Sequence, residues 1–294
     1  MVNRKITSFD LVLLIIMVGV MIITLYPFLN ILAISLNDAT DTVRGGIHIW
    51  PRQFTLANYS EIFGSNDRLI QAFGMSVLRT VVGTVTGIIA STMLAYTLSR
   101  RDFIFNRFIG FILVITMFIS GGLIPEYMLI RELGLINNFW VYILPMLISA
   151  FNVIVIRSFM DEIPIELTES AKIDGAHDFT IFAKVMLPLC IPVIATISLF
   201  LAVGQWNSWF DTYLYARANI DLTTLQFELM KILDNANISS GQITTQNAEV
   251  IANQTNPNSI KMAITIIATV PILVVYPFLQ KYFVTGLTLG AVKS

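Results

Sequence analysis

Asp161-Glu162-Ile163-Pro164-Ile165-Glu166-Leu167-Thr168-Glu169-Ser170-Ala171-Lys172-Ile173-Asp174-Gly175-Ala176 is a short charged stretch set between two long apolar runs, Leu133–Ile156 and Val185–Phe210. Pro164 suits the first turn of a helix, where its missing N–H is not needed. Glu162 and Glu166 complement the positive end of the helix dipole, and Lys172 the negative end. Gly175 is well placed as the stop, where the backbone turns left-handed. The stretch therefore predicts a helix over about 164–175, roughly two to three turns at about 1.5 Å per residue. Leu167 and Ala171 share one face, while Glu166, Glu169 and Lys172 are polar. A second helix is expected to start near Asp178 and to pass Leu187-Pro188-Leu189 into the next apolar run, with Pro192 as a second kink site.

The rest of the chain is built like those flanking runs. Of its 294 residues 55% are hydrophobic and only 13% charged, about half the charge of an average soluble domain. The mean hydropathy is +0.74. So little charge cannot cover a water-soluble protein of this size, which leaves an all-α membrane protein. Charge-free windows of about 18 or more residues, the length that spans a hydrocarbon core, number six: Leu11–Asn37, Thr80–Ser99, Phe108–Pro125, Leu133–Ile156, Val185–Phe210 and Met262–Gln280. They predict a single transmembrane domain over 1–294 with six helices at about 11–36, 74–99, 107–130, 135–158, 182–210 and 260–281, and a tail at 282–294. Alternation of the strand type is absent, which excludes a β-barrel. The first window, after Arg4 and Lys5, is too long for a cleaved signal and no small-x-small site follows it.

Orientation follows from the basic residues. Arg4, Lys5, Arg100, Arg101, Arg107, Arg157, Lys172, Lys184, Lys281 and Lys293 fall on the same side as the N-terminus, in short segments. Arg44, Arg52, Arg68, Arg79, Arg131, Arg217, Lys231 and Lys261 are spread over the much longer loops of the other side, so basic density favours the first side. Both termini are therefore expected in the cytoplasm. The outer segment 211–261 is rich in Asn, Gln, Thr and Ser, and reads as a polar, partly irregular loop.

Several chemistries are excluded. A net charge of −1 gives no field for nucleic acid. Cys190 is the only cysteine, so no intrachain disulfide forms. No phosphate loop is present, so the chain does not cradle ATP in that way itself. His48 and His177 fall on opposite sides and share no metal. No catalytic pair lies at membrane depth, which argues against an intramembrane enzyme. The six windows hold no Asp, Glu, Lys, Arg or His, whereas ion-coupled carriers place such groups near the midplane. An ion-coupled secondary transporter is accordingly the weaker reading, and the energy for transport has to come from another polypeptide.

The charged stretch supplies the missing link. Glu169-Ser170-Ala171, Gly175, Val185 and Leu187-Pro188 resemble the EAA loop of binding-protein-dependent ABC importer permeases: Glu-Ala-Ala, three residues, Gly, nine residues, Ile, one residue, Leu-Pro. Ser170 and Val185 are mild departures. Further stretches are similar to the carbohydrate-uptake, maltose-permease type. They are Trp50-Pro51, Phe54-Thr55-Leu56-Ala57-Asn58-Tyr59, Gln205-Trp206-Asn207-Ser208-Trp209-Phe210 and the tail Thr285-Gly286-Leu287-Thr288-Leu289-Gly290-Ala291-Val292-Lys293. Ser120-Gly121-Gly122-Leu123-Ile124-Pro125 and Leu133-Gly134-Leu135-Ile136 resemble a sub-branch that handles larger oligosaccharides and uronate-type fragments.

The resemblance implies the type I importer permease fold with a coupling helix, in the bacterial cytoplasmic membrane. It implies a second, homologous permease, two ATP-binding cassette subunits, an extracytoplasmic solute-binding protein and a carbohydrate substrate. It implies no cofactor in this chain, with ATP and Mg held by the partner ATPase. Glu169, Ser170, Ala171, Asp174, Gly175 and Ala176 are then the ATPase-coupling residues, and Gly286, Gly290 and Lys293 the contacts of the C-terminal tail.

The residues of the fifth window carry a separate expectation. Trp206, Trp209, Phe210 and Tyr213 recur at three- and four-residue spacing and so share one helix face. Gln205, Trp206, Asn207, Trp209 and Tyr213 are candidates for the substrate path, aromatic faces stacking on sugar rings and buried amides bonding hydroxyls. The competing roles are an interfacial aromatic belt and interhelical hydrogen bonding.

Overall fold

A computed structural model describes residues 7–64, 67–241 and 257–291, without the side chains of residues 67, 235–241, 257, 278–279 and 281–291. Among the described residues the chain is helical and carries no strand; the one extended pairing is an isolated bridge between Asn37 and Phe54. It divides into two compact units, Met1–Leu69 with Leu229–Val270, and Ile70–Glu228 with Pro271–Ser294.

The first unit begins with α1 (Ser8–Ser35), which a reciprocal pair opens: Thr7 Oγ1 accepts from Asp10 N–H, and the Asp10 carboxylate accepts from Thr7 N–H at 2.9 Å. The hydrophobic window of this helix is wholly exposed in the isolated chain, as befits a segment whose solvent is lipid or another subunit. The segment 36–56 returns across its end, and α2 (Ala57–Gly64) follows. Asn58 Nδ2 donates to the carbonyls of Ser35 and Asn37 at 2.9 Å each. Those groups lie at the end of α1, where the helix no longer supplies partners. Asn37 in turn donates to the Asp41 carboxylate at 3.0 Å and accepts from Gln53 N–H at 2.8 Å. The Asn37 amide, with Arg52 at 2.9 Å, holds the Asp41 carboxyl below the usual carboxylate range. The Phe54–Tyr59 motif therefore has a structural explanation: Asn58 ties off α1, and the Tyr59 hydroxyl meets Ser35 Oγ at 2.8 Å.

The second unit is built on α3 (Asp67–Ser99). The expected third span is not one straight helix. α4 (Asn106–Phe118) ends at an extended Ile119, and α5 (Leu123–Glu132) leaves at 120° to it. The pivot is Gly121-Gly122, where Gly122 has φ +86°, a backbone state that only glycine adopts without strain. Pro125 then sits in the first turn of α5, where no N–H is required.

The segment of the expected fourth span, 135–158, is interrupted as well. Gly134 and Asn137 take positive φ, and Phe139–Tyr142 form a single 3-10 turn. Only past Pro145 does α6 (Ala150–Asp161) begin. Its twelve residues reach about 18 Å, short of a hydrocarbon core of about 30 Å.

After α6 comes the expected short helix, α7 (Ile165–Ile173), then α8 (Asp178–Leu189) and α9 (Ile191–Asn207). α8 widens to a π turn at Phe182–Met186. Pro188 cannot donate to the Lys184 carbonyl four residues back, and Leu187 N–H bonds Phe182 O instead. A bend of 82° at Cys190 separates α8 from α9, a break sharper than a kink at Pro192. α10 (Phe210–Tyr215) and α11 (Leu225–Gly241) follow. Much of the segment read as a polar loop is thus helical up to Gly241. α12 (Pro257–Ala291) closes the chain, running through Pro271 and Pro277.

Three single helices, Ser8–Ser35, Arg68–Ser99 and Asn258–Pro277, are long and apolar enough to cross a membrane. The pairs α4/α5 and α8/α9 each pass as one broken span, which makes three to five among the described residues where six were expected. The core of the second unit packs Ala95, Leu98, Val153, Ile156, Ile181, Met186 and Ile197 from α3, α6, α8 and α9.

Candidate functional site

The segment expected to couple is an exposed, capped helix. α7 has no buried residue. Its C-terminus closes as a full left-handed cap: Ala176 N–H bonds Ala171 O at 2.9 Å and Gly175 N–H bonds Lys172 O at 3.0 Å, with Gly175 at φ +81°. A Cβ on Gly175 would meet nothing within 4 Å, so within this chain glycine is required by backbone angle alone. Ala171 and Ala176 turn inward onto the second unit's core, together with Ile163. Glu169, Ser170, Asp174 and Gly175 stay exposed. Glu169 and Asp174 have no ion-pair partner among the described residues. Ile173 and Phe179 are 87% and 72% exposed, and Ile165 and Leu167 are exposed as well.

Ion pairs hold the projection from behind. Lys172 Nζ lies 3.7 Å from Asp102, which accepts from Arg100 at 3.0 Å; Arg100 also reaches Asp178 at 3.3 Å. Arg100 beside it keeps the Asp102 carboxyl below its ordinary range. The segment between α3 and α4 is thereby bound to the last turn of the short helix and to the start of α8. A cavity of about 530 Å³ lies behind it, lined by Arg100, Asp102, Arg157, Glu169 and Lys172 among others.

The expected substrate-path residues do not form one face. α9 ends at Asn207, Ser208 is extended, and α10 starts a new direction. Trp206 stays on α9, buried, with its ring edge-on to Phe73 at 5.8 Å. Trp209, Phe210 and Tyr213 cluster separately, with centroids 5.7 to 6.4 Å apart, and Tyr213 continues to Phe227 and the Arg217 guanidinium. Asn207, expected to be a buried amide, is exposed, and its Oδ1 accepts from Gln226 at 3.3 Å. Gln205 is buried, but both ends of its amide are used within the protein. Oε1 accepts from Arg79 Nε at 3.0 Å, and Nε2 donates to Tyr142 O at 3.1 Å. For Gln205 the structural role therefore prevails.

Arg79 is the residue that the sequence reading misplaced. Counted there among loop cations, it lies about 16 Å along α3 from Arg68 and is 0% exposed. Its guanidinium donates to both carboxylate oxygens of Asp211, Nη1 to Oδ1 at 3.1 Å, and stacks 4.4 Å over the Tyr142 ring. One side chain thus joins α3, the 139–142 turn, α9 and α10. A sequence signal for this close packing existed: Gly83-Thr84-Val85-Thr86-Gly87 places two glycines one turn apart. A Cβ on Gly83 would sit 2.7 Å from the Gln205 amide, and one on Gly87 3.3 Å from Leu201.

Of the tail residues, Gly286 and Gly290 lie on the backbone of α12, and Lys293 lies outside the described residues.

Long apolar helices with a short exposed helix between two of them have the build of an integral membrane component. Residues 83–289 match the binding-protein-dependent transport system inner membrane component. The chain belongs to this family, a transport component rather than a catalytic one, whose members work in the inner membrane with an ATPase, a permease and a binding protein. Among individual relatives it is similar to Protein LplC of Bacillus subtilis (strain 168), 38% identical over 287 residues, 97% of this chain and 95% of the relative. It is 39% identical to the polygalacturonan/rhamnogalacturonan transport system permease protein YtcP of the same organism, over 93% of this chain and 94% of that one. Among solved structures it resembles a chain of a bacterial ABC transporter involved in the import of the acidic polysaccharide alginate. The TM-score is 0.83 at 27% identity, covering 96% of this chain and 99% of that one.

Proposed function

We propose that this chain is the membrane-spanning subunit of an ATP-driven importer of oligosaccharides or polysaccharide fragments, of the uronate-containing kind. The exposed, capped helix α7 carries the reading. A chain with no phosphate loop receives work through a contact, and a stiff helix offering Glu169, Ser170, Asp174 and Gly175 beside Ile173 and Phe179 suits a groove on an ATPase. Closure of two such ATPases, which bind ATP and Mg, then displaces α6 and α8, the helices on either side. This is a switch between two packed arrangements, and ATP acts only by favouring one of them. A second permease completes the path, a solute-binding protein delivers the sugar, and both termini face the cytoplasm with Gly286, Gly290 and Lys293 toward the ATPases.

The test is reconstitution of the complete complex in liposomes, with uptake measured over a panel of neutral and uronate oligosaccharides. ATP-dependent accumulation of the acidic fragments is expected. Accumulation by this chain alone on an ion gradient would overturn the reading.

The aromatic cluster supports a place for Trp209 and Tyr213 on the path. Trp209→Ala or Tyr213→Ala should lower uptake about five- to tenfold, the worth of roughly 1–1.5 kcal/mol of stacking. Asn207→Ala is expected in the same class. Binding-protein-stimulated ATP hydrolysis should change little; an equal loss of both would assign these residues to packing.

A further inference from the structure

A second cavity, about 510 Å³, is a groove between α4 and α6. Its walls are mainly apolar, with Phe111 and Val114 from α4, Val153 and Ile154 from α6, and Leu98 from the end of α3; Asn106 and Ser158, next in sequence to Arg107 and Arg157, are the uncharged polar side chains. One end differs. Arg107 sits there on α4, exposed and with no ion-pair partner among the described residues. Arg157 reaches over from α6, and its Nη1 would lie 3.3 Å from a Cβ at Gly110. The guanidinium thus rests against bare backbone that any other residue would crowd. Asp161 is the one carboxylate in the lining, 3.5 Å from Arg157 and half exposed. Two cations against one anion leave that end positive.

Gly110, Phe111 and Val114 lie three, four and seven residues after Arg107, so they share one face of α4 with it. Arg107 to Val114 is about 10 Å along the helix. The groove therefore joins two guanidinium groups to a mainly apolar channel on a helix of a membrane component. That combination matches an amphiphile with an anionic head and a hydrocarbon tail. A sugar would need hydroxyl partners along the channel walls, and apart from Asn106 and Ser158 the groove supplies apolar side chains there. Guanidinium forks suit phosphate oxygens, and basic pockets between membrane helices at the cytoplasmic side take anionic headgroups.

We propose that this groove binds an anionic phospholipid, its phosphate held by Arg107 and Arg157 and an acyl chain lying along Phe111, Val114 and Ile154. Arg157 and Asp161 also line the cavity behind α7. A bound lipid therefore bears on the wall that α6 shares with the coupling segment.

The test uses the assembled complex, purified in detergent and titrated with phosphatidylglycerol or phosphatidylcholine, with bound lipid counted by native mass spectrometry. Phosphatidylglycerol should be retained on the wild type, and Arg107→Gln with Arg157→Gln should weaken it about tenfold or more. Val114→Trp, which fills the channel and keeps both arginines, should weaken it as well. The complex mass in the same spectra reports whether each variant assembles. Unchanged retention in both variants, or equal retention of phosphatidylcholine, would overturn the proposal. So would displacement of the lipid by inorganic phosphate alone or by a uronate oligosaccharide, or burial of Phe111 against the second permease as seen by crosslinking. Because the readout is binding, failure here leaves the sugar reading untouched.

Discussion

Gly175→Asp is expected to abolish ATP-driven uptake while leaving the permease folded and assembled in the membrane. Two costs separate here. Within this chain, the backbone at φ +81° penalises any side chain by about 1–2 kcal/mol, and Asp is among the residues that accept it most readily. Nothing lies within 4 Å of the new Cβ, so there is no clash in the isolated subunit. The larger cost arises only on docking, when a carboxylate is enclosed between α7 and the ATPase without a partner. An unpaired enclosed charge costs about 3–5 kcal/mol, or roughly two to four orders of magnitude in a coupled rate. Gly175→Asn serves as the control, matching Asp in shape and backbone tolerance without the charge, and its loss should be smaller. Uptake and ATP hydrolysis in proteoliposomes, with complex yield from the same membranes, measure this. Normal uptake by the Asp variant at normal assembly would remove the coupling role from this turn.

How much of this was legible beforehand depends on whether the information is local. Helix α7 was, because Pro164, Lys172 and Gly175 act on their own turn: the expected boundaries 164–175 enclose the observed Ile165–Ile173. The apolar windows were legible as composition but not as geometry. Charge-free length cannot tell a straight helix from Phe108–Pro125, where Gly122 reverses the backbone, or from Leu133–Ile156, where Gly134 and Asn137 do so before Pro145. Those breaks were marked by glycine and proline. Hydropathy counting gave them no weight, since a bend leaves the mean unchanged.

The candidate site divides in the same way. Glu169, Asp174 and Gly175 were singled out through a local pattern, and the exposed turn that carries them was legible with it. The substrate-path reading extended helical periodicity across Ser208, where the helix had already ended, and so joined Trp206 to Trp209 and Tyr213. Arg79 was missed because its neutralisation is non-local: Asp211 is 132 residues away in sequence. A charge beside an apolar window reads as the end of a span unless its partner is known.

That pair carries the other large effect. Arg79→Met should destabilise the assembled complex by about 3–5 kcal/mol, because Asp211 is left with a 13% exposed side chain and no cation. The Gln205 Oε1 and the Tyr142 ring face lose their partner at the same time. Arg79→Lys should recover only part of this, since one ammonium cannot span both Asp211 oxygens and Gln205 together. Removing both charges, Arg79→Met with Asp211→Leu, should be much milder than Arg79→Met alone, since an apolar pair of similar volume replaces a buried ion pair at little cost. The coupling energy from this double-mutant cycle, read from thermal unfolding of the purified complex, should exceed about 1 kcal/mol. A cycle that closes at zero would mean that the two side chains act independently and that Arg79 is held by Tyr142 and Gln205 alone. If the pair also ties α3 to α10 during transport, the double variant should stay assembled yet hydrolyse ATP with less dependence on the binding protein. The lock between the helices would then be gone while the packing remained.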